Sequence, residues 1–112
     1  MMELAYKIKA DFLKALSHPS RLQIIEFLKS KEQNVGGIMR ALRLQQSSLS
    51  RHLNILREAG ILKSRQEGTV IYYGIENHDI FHVLRPIAEM LRKKLKKTAD
   101  VLNSLGKEKP SE

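Results

Sequence analysis

The sequence contains no cysteine and no tryptophan, and only three phenylalanines and three tyrosines. Without a thiol, it cannot form disulfides, thiolate metal sites, cysteine nucleophiles or cysteine redox sensors. With so few aromatic side chains, we expect a core built mainly of Leu, Ile and Val. No apolar run is long enough to span a bilayer, and residues 1–12 lack the apolar centre of a secretion signal. These absences predict a cytoplasmic protein without a membrane partner.

Basic residues clearly outnumber acidic ones. The 20 lysines and arginines against 12 acidic residues give a formal net charge of +8. A positive surface attracts polyanions before any specific contact forms, so nucleic acid is the leading partner class. The length of 112 residues suits one compact domain and is short for a two-domain enzyme. We expect a single domain over 1–105 and a polar, frayed tail over 106–112.

Apolar spacing predicts three helices in the first part of the chain. The first, over 3–16, carries an apolar residue at every turn: Leu4, Ile8, Phe12 and Leu16. Pro19 suits the first turn of a second helix, whose expected buried face is Leu22, Ile25 and Leu28. A short third helix is expected over 35–42, although two glycines weaken its start.

The residue pattern in the second part of the chain predicts a longer helix, a hairpin and a last helix. The longer helix begins near Ser47, buries Leu49, Leu53 and Leu56, and ends at Gly60. Two β-prone runs, 61–66 and 69–75, then flank a Glu-Gly turn and predict a hairpin. An apolar stripe over 80–105 predicts the last helix, which Pro86 either kinks or begins.

This order of elements is that of a winged helix-turn-helix, a mainly α fold with a two-stranded β-hairpin. The outward face of the longer helix is polar and basic, and the hairpin is basic too. Such surfaces suit the major groove and the phosphate backbone. The predicted DNA-contact residues are Gln46, Ser47, Ser48, Ser50, Arg51, His52, Asn54, Lys63, Arg65, Gly68 and Thr69. For each residue alone, an ordinary helix cap or a solvated charge is the competing explanation. At His52 the sequence favours a partly buried packing or phosphate-contacting histidine over a pH sensor.

Three segments carry a resemblance to a known family. They are KALSHPSRL at 14–22, QSSLSRHL at 46–53 and LREAGIL at 56–62. Together with GTVIYY at 68–73, they resemble the ArsR/SmtB family of bacterial repressors over residues 12–75. The resemblance implies a dimer that places two recognition helices in successive major grooves and represses transcription by covering a promoter.

The resemblance also implies that the first and last helices form the dimer interface. The long C-terminal apolar stripe supports this independently, because so small a monomer offers it little to pack against. The alternative is a self-packed bundle. The predicted interface residues are Leu4, Ile8, Phe12, Ile80, Leu84, Ile87, Leu91 and Leu95. Two-fold symmetry then predicts an inverted-repeat operator in double-stranded DNA.

The sequence departs from the family at its metal sites, so we expect no metal and no other cofactor. Members that sense soft metals carry a cysteine pair where this chain has residues 33–38, and no thiolate can form there. Alignment with the zinc- and nickel-type members places Asn77 and Asp79 at one ligand pair and Met90 and Lys93 at the other, a poor set for a divalent ion.

Three features stay open in the sequence. His78, Asp79 and His82 have the spacing of ligands on one helix face and leave an unrelated metal site conceivable. The basic run from Arg92 to Lys97 is either a solvated face, an extension of the electrostatic footprint or a surface for an acidic partner. A small-molecule effector, the operator sequence and the choice between repression and activation are not encoded in any recognisable motif.

Rival functions have less support. An enzyme is not expected, because the chain shows no nucleophile with a base, no Gly-rich phosphate loop and no paired carboxylates. A nonspecific architectural or single-strand-binding protein would keep the basic surface, but Tyr72 and Tyr73 point to opposite faces of a strand and cannot form one stacking platform. A winged helix that contacts only protein is a third alternative.

Overall fold

The computed structural model describes residues 1–107, which form two compact units, 1–78 and 79 onward. The first unit contains α1 (Met2–Leu16), α2 (Pro19–Phe27), β1 (Gln33–Asn34), α3 (Val35–Leu42), α4 (Gln46–Glu58), β2 (Leu62–Glu67) and β3 (Val70–Ile75). The second unit consists of α5 (Ile80–Lys107) and the residue before it. The predicted helices and hairpin are confirmed.

The first unit is held together by a core of aliphatic side chains with almost no exposure. It draws on α2, α3, α4 and β2, and its fully buried members are Ile24, Ile25, Leu28, Ile38, Leu49, Leu53, Leu56 and Leu62. Ile25 and Leu28 are buried as predicted, but Leu22 is 40% exposed and Ile24 takes its place. The predicted buried face of α2 was therefore right at two positions and wrong at Leu22.

Each helix boundary in this unit has a local cause. The His18 side chain accepts from the Ser20 amide at 3.0 Å, and Pro19 follows it in the first turn of α2. The Asn34 side chain accepts from the Gly37 amide at 2.7 Å and so starts α3. Gly60 has a φ of +79°, the left-handed conformation expected just past a helix end, and it terminates α4 as predicted.

The sheet has one more strand than predicted. β3 pairs antiparallel with β2 on one side and with the two-residue β1 on the other, where Gln33 faces Tyr73. Gly68, with a φ of +64°, turns the chain between β2 and β3.

The second unit is one long helix. α5 begins at Ile80 and continues through Pro86, so the alternative that Pro86 starts the helix was wrong. Gly106 and Lys107 still belong to α5, and the rest of the predicted tail lies outside the described residues. Within residues 1–107, no helix combines the length and apolarity that crossing a membrane requires.

Candidate nucleic-acid interface

α4 separates its apolar and polar residues onto two faces. Leu49, Leu53 and Leu56 are at most 1% exposed, and α4 contacts α1, α2, α3 and β2. Six predicted contact residues of the same helix are exposed: Gln46, Ser47, Ser48, Ser50, Arg51 and Asn54. Because the buried leucines fix the rotation of the helix, Ser47, Arg51 and Asn54 lie on the side opposite them.

The N-terminus of α4 adds a backbone feature to this face. Gln45 is the N-cap residue, and its side chain makes no capping hydrogen bond. The first amide groups of a helix lack intrahelical acceptors and lie at the positive end of its dipole. An approaching phosphate oxygen can accept from these amides next to the short Ser47 and Ser48 side chains.

His52 differs from the other predicted contacts because it is buried, at 8% exposure. Its Nδ1 lies 3.2 Å from a guanidinium nitrogen of Arg21, and its ring centre lies 4.4 Å from that of His18. Burial, followed by the nearby His18, Arg21 and Arg51, lowers the pKa of His52 below 6.5. His52 therefore links α4 to α2 and is not presented with the exposed polar face.

Asn54 is exposed but already engaged along its own helix. Its side-chain oxygen accepts from Arg57 at 2.8 Å, and its side-chain nitrogen lies 3.4 Å from a Glu58 carboxylate oxygen. A base contact by Asn54 would have to replace these bonds.

The hairpin forms the wing, and its two basic residues have different surroundings. Lys63 is exposed on β2, as are Gly68 and Thr69 at the turn. Arg65 donates to a Glu32 carboxylate at 2.7 Å and to a Glu67 carboxylate at 2.6 Å. These two hydrogen bonds, to Glu32 first and Glu67 second, raise the pKa of Arg65 above its ordinary value.

The sheet register explains where Arg65 lies. Arg65 faces Tyr72 across β2 and β3, and its guanidinium carbon lies 4.4 Å from the centre of the Tyr72 ring. The predicted DNA-contact residues did not include Glu32, Tyr72, His18 or Arg21. The alternation of β2 and β3 could have paired Arg65 with Tyr72, but only a known register fixes that pair.

The residues predicted for a dimer interface are largely uncovered in the single chain. Leu4 and Ile8 on α1, and Leu91 and Leu95 on α5, are each more than half exposed, and Ile87 is 38% exposed. Phe12 and Leu84 are half-buried. Ile80, at 6% exposure, is the exception, because it is already buried without a second chain.

No metal cluster is visible in the part of the chain that the structure describes. Within residues 1–107, no group of three or more His, Cys, Asp or Glu side chains could hold an ion. The His78 ring donates to the Lys29 carbonyl at 3.2 Å, and the exposed His82 ring lies 4.0 Å from an Asp79 carboxylate oxygen.

Sequence and structure comparisons both point to bacterial regulators. A model of the family described as bacterial regulatory protein, arsR family, matches residues 18–64. The HTH-type transcriptional regulator Rv0081 of Mycobacterium tuberculosis is 36% identical over 104 residues, which cover 92% of this chain and 91% of the relative. The transcriptional repressor PagR of Bacillus anthracis is 42% identical over 82 residues, 70% of this chain and 82% of PagR.

Two solved structures share the fold. The crystal structure of Rv0081 superposes with a TM-score of 0.77 at 34% identity and covers 85% of this chain and 96% of that one. The NMR structure of the homodimeric winged helix-turn-helix DNA-binding domain of Mb0332 from Mycobacterium bovis has a TM-score of 0.75 at 27% identity. That match covers 86% of this chain and 89% of the Mb0332 domain.

Proposed function

The chain belongs to the ArsR family of bacterial winged helix-turn-helix transcriptional regulators, and on this basis we propose that it is a homodimeric repressor of an inverted-repeat operator. The observation that carries the proposal is that α4 buries its leucines fully while its polar residues, among them Gln46 and Arg51, are exposed. Both side chains are long enough for bidentate contacts to base edges in the major groove.

The dimer is supported by apolar surface on two helices. Four apolar side chains are more than half exposed to water: Leu4 and Ile8 on α1, and Leu91 and Leu95 on α5. Contact with a second copy of the chain would remove this apolar surface from solvent. The related domain of Mb0332 is described as homodimeric. Two-fold symmetry then requires two half-sites whose centres lie about one or two helical turns apart.

Repression by occupancy follows from the same arrangement. A dimer that covers a promoter excludes RNA polymerase, and the relative PagR is named a transcriptional repressor. Release requires a ligand that binds the non-DNA-binding arrangement more tightly. The ligands of the usual metal-sensing members are replaced here, since Met90 and Lys93 stand where two of them would be, so the effector is another kind of molecule or none.

The test is fluorescence anisotropy with purified protein, a duplex from upstream of its own gene and a scrambled duplex, across a salt series. A preference of at least ~10³-fold for the upstream duplex is expected for a specific regulator. Weak, equal binding with a steep salt dependence would instead identify a nonspecific architectural protein. If the protein prefers the upstream duplex but does not reduce transcription in a reconstituted promoter assay, the proposed repression is contradicted and the proposed DNA binding is not.

A further inference from the structure

Arg21 joins three helices through one guanidinium group. Its Nε–H donates to the Ala15 carbonyl at 2.6 Å, and one terminal nitrogen donates to the Lys14 carbonyl at 3.3 Å. The other terminal nitrogen lies 3.2 Å from His52 Nδ1. Arg21 itself belongs to α2, so the C-terminal end of α1 and the middle of α4 are attached to the same side chain.

The direction of these hydrogen bonds fixes the charge state of His52. A guanidinium group has donors only, so His52 Nδ1 must accept and the ring proton must be on Nε2. His18 makes a parallel contact, because its Nδ1 accepts from the Ser20 amide at 3.0 Å while its ring packs 4.4 Å from that of His52. The junction of His18, Arg21 and His52 is therefore complete only while His52 is neutral.

We propose that this junction positions α4 for DNA, with Arg21 as a positioning residue, and that proton uptake by His52 loosens it and weakens operator binding. The inference rests on the operator binding proposed above. A second proton on His52 turns Nδ1 into a donor that faces the donors of Arg21, so the bond is lost and like charges meet.

The surroundings of His52 favour its neutral form. His18 precedes α2, Arg21 lies on α2 and Arg51 is its neighbour on α4, and each of these groups lowers the pKa of His52, as burial does first. None of the groups that shift it is a carboxylate that could stabilise the imidazolium. The uptake of a proton is thus expected to require movement of the ring, and with it of the helix that carries Arg51.

The sign of the pH effect separates this mechanism from ordinary electrostatics. Acidification adds positive charge to a chain that already has a net charge of +8, and nonspecific attraction to phosphate then increases. Loosening of α4 has the opposite effect. If the uptake of one proton by each His52 is coupled to release of the DNA, the affinity of each protomer for the operator falls by at most about tenfold for each pH unit below the pKa of His52.

The experiment is a titration of the full-length protein on its operator duplex at about pH 7.5 and about pH 5.5, with a scrambled duplex alongside. We expect operator affinity to fall at the lower pH, by less than ~10-fold per protomer, with nonspecific binding unchanged or tighter. His52→Asn retains an acceptor near the Nδ1 position but cannot titrate, so it should bind at pH 7.5 and lose much less affinity in acid. His82→Asn, which alters an exposed histidine, is the matched control and should keep the wild-type loss.

The possible results separate the two proposals. No operator preference at pH 7.5 would overturn the proposed function, whereas a preference that stays constant or increases in acid would overturn only the pH mechanism. An equal acid loss in His52→Asn and the wild type would also overturn it. If His52→Asn does not fold, Arg21→Lys provides the second test, because an ammonium group cannot span the same three acceptors. That variant should bind weakly at pH 7.5 and lose little more in acid, and a wild-type profile would contradict the positioning role.

Discussion

Lys63→Ala and Arg65→Ala are expected to change the salt dependence of DNA binding by different amounts, although both cations lie on β2 of the wing. Lys63 is exposed, and none of the ion pairs within residues 1–107 involves it. Arg65 is held by Glu32 and Glu67 at 2.7 and 2.6 Å and packs over Tyr72. The charge of Lys63 is therefore available to a phosphate, whereas that of Arg65 is already balanced.

The size of the difference follows from counterion release. Each phosphate neutralised by a protein contributes about 0.9 to the slope of log affinity against log salt concentration. With one wing in each protomer of a dimer, Lys63→Ala should reduce the slope by ~2, and Arg65→Ala by less than ~1. Exposed ion pairs contribute only about 0–1 kcal/mol each, and the Arg65 side chain is 49% exposed, so Arg65→Ala should remain folded.

The assay is fluorescence anisotropy at four or five salt concentrations, with circular dichroism melting of each variant. Glu32→Gln is the matched control, because it removes one partner of Arg65 while leaving the arginine in place; its slope should equal that of the wild type or exceed it. Equal losses of slope in Lys63→Ala and Arg65→Ala would refute the reasoning, since Arg65 would then leave its carboxylates to bind phosphate.

Arg51→Ala should weaken operator binding by ~1–3 kcal/mol without changing the melting temperature, because the side chain is exposed; unchanged affinity would remove Arg51 from the base contacts. Leu91→Asp should dissociate the dimer in sedimentation experiments, since it places a carboxylate in the proposed apolar interface, and a variant that still sediments as a dimer would contradict that interface. Leu53→Ala should reduce the free energy of unfolding in urea by ~2–5 kcal/mol, because Leu53 is 1% exposed, whereas a loss well below this range would mean that the core repacks. The free energy of unfolding should also fall as the pH drops below 6.5. The pKa of His52 is lowered in the folded state, so the unfolded chain binds the proton more tightly. Urea unfolding curves that do not depend on pH would disprove this linkage.

Hydrophobic periodicity predicted the helices because burying one face requires a repeat close to that of the helix. The same signal could not choose between Leu22 and Ile24 on α2, since both are apolar and only the packing against neighbouring helices selects the buried side. β1 was missed because two residues are too few to show the alternation of a strand.

The residue types along α4 were enough to predict which side chains are exposed. They were not enough to predict which partners the side chains of the candidate interface contact. The exposure of Ser47, Ser48 and Arg51 follows from the leucines on the other face of α4. Arg65 meets Glu32, 33 residues away along the chain, and His52 meets Arg21, 31 residues away. Such pairs depend on tertiary structure, so the composition of a helix or strand cannot reveal them.

The base contacts proposed for α4 imply that dimerisation is a condition for specificity. Of its side chains, Gln46 and Arg51 are long enough for bidentate base contacts, while Asn54 is engaged with Arg57 and Glu58. Each bidentate pair contributes about 1–3 kcal/mol of discrimination, so one protomer reaches roughly 2–6 kcal/mol. Specific regulators discriminate by about 4–10 kcal/mol, a range that two protomers on two half-sites cover and one protomer reaches only at its lower end. The proposed selection of an operator therefore requires both the apolar surfaces of α1 and α5 and the exposed polar side of α4.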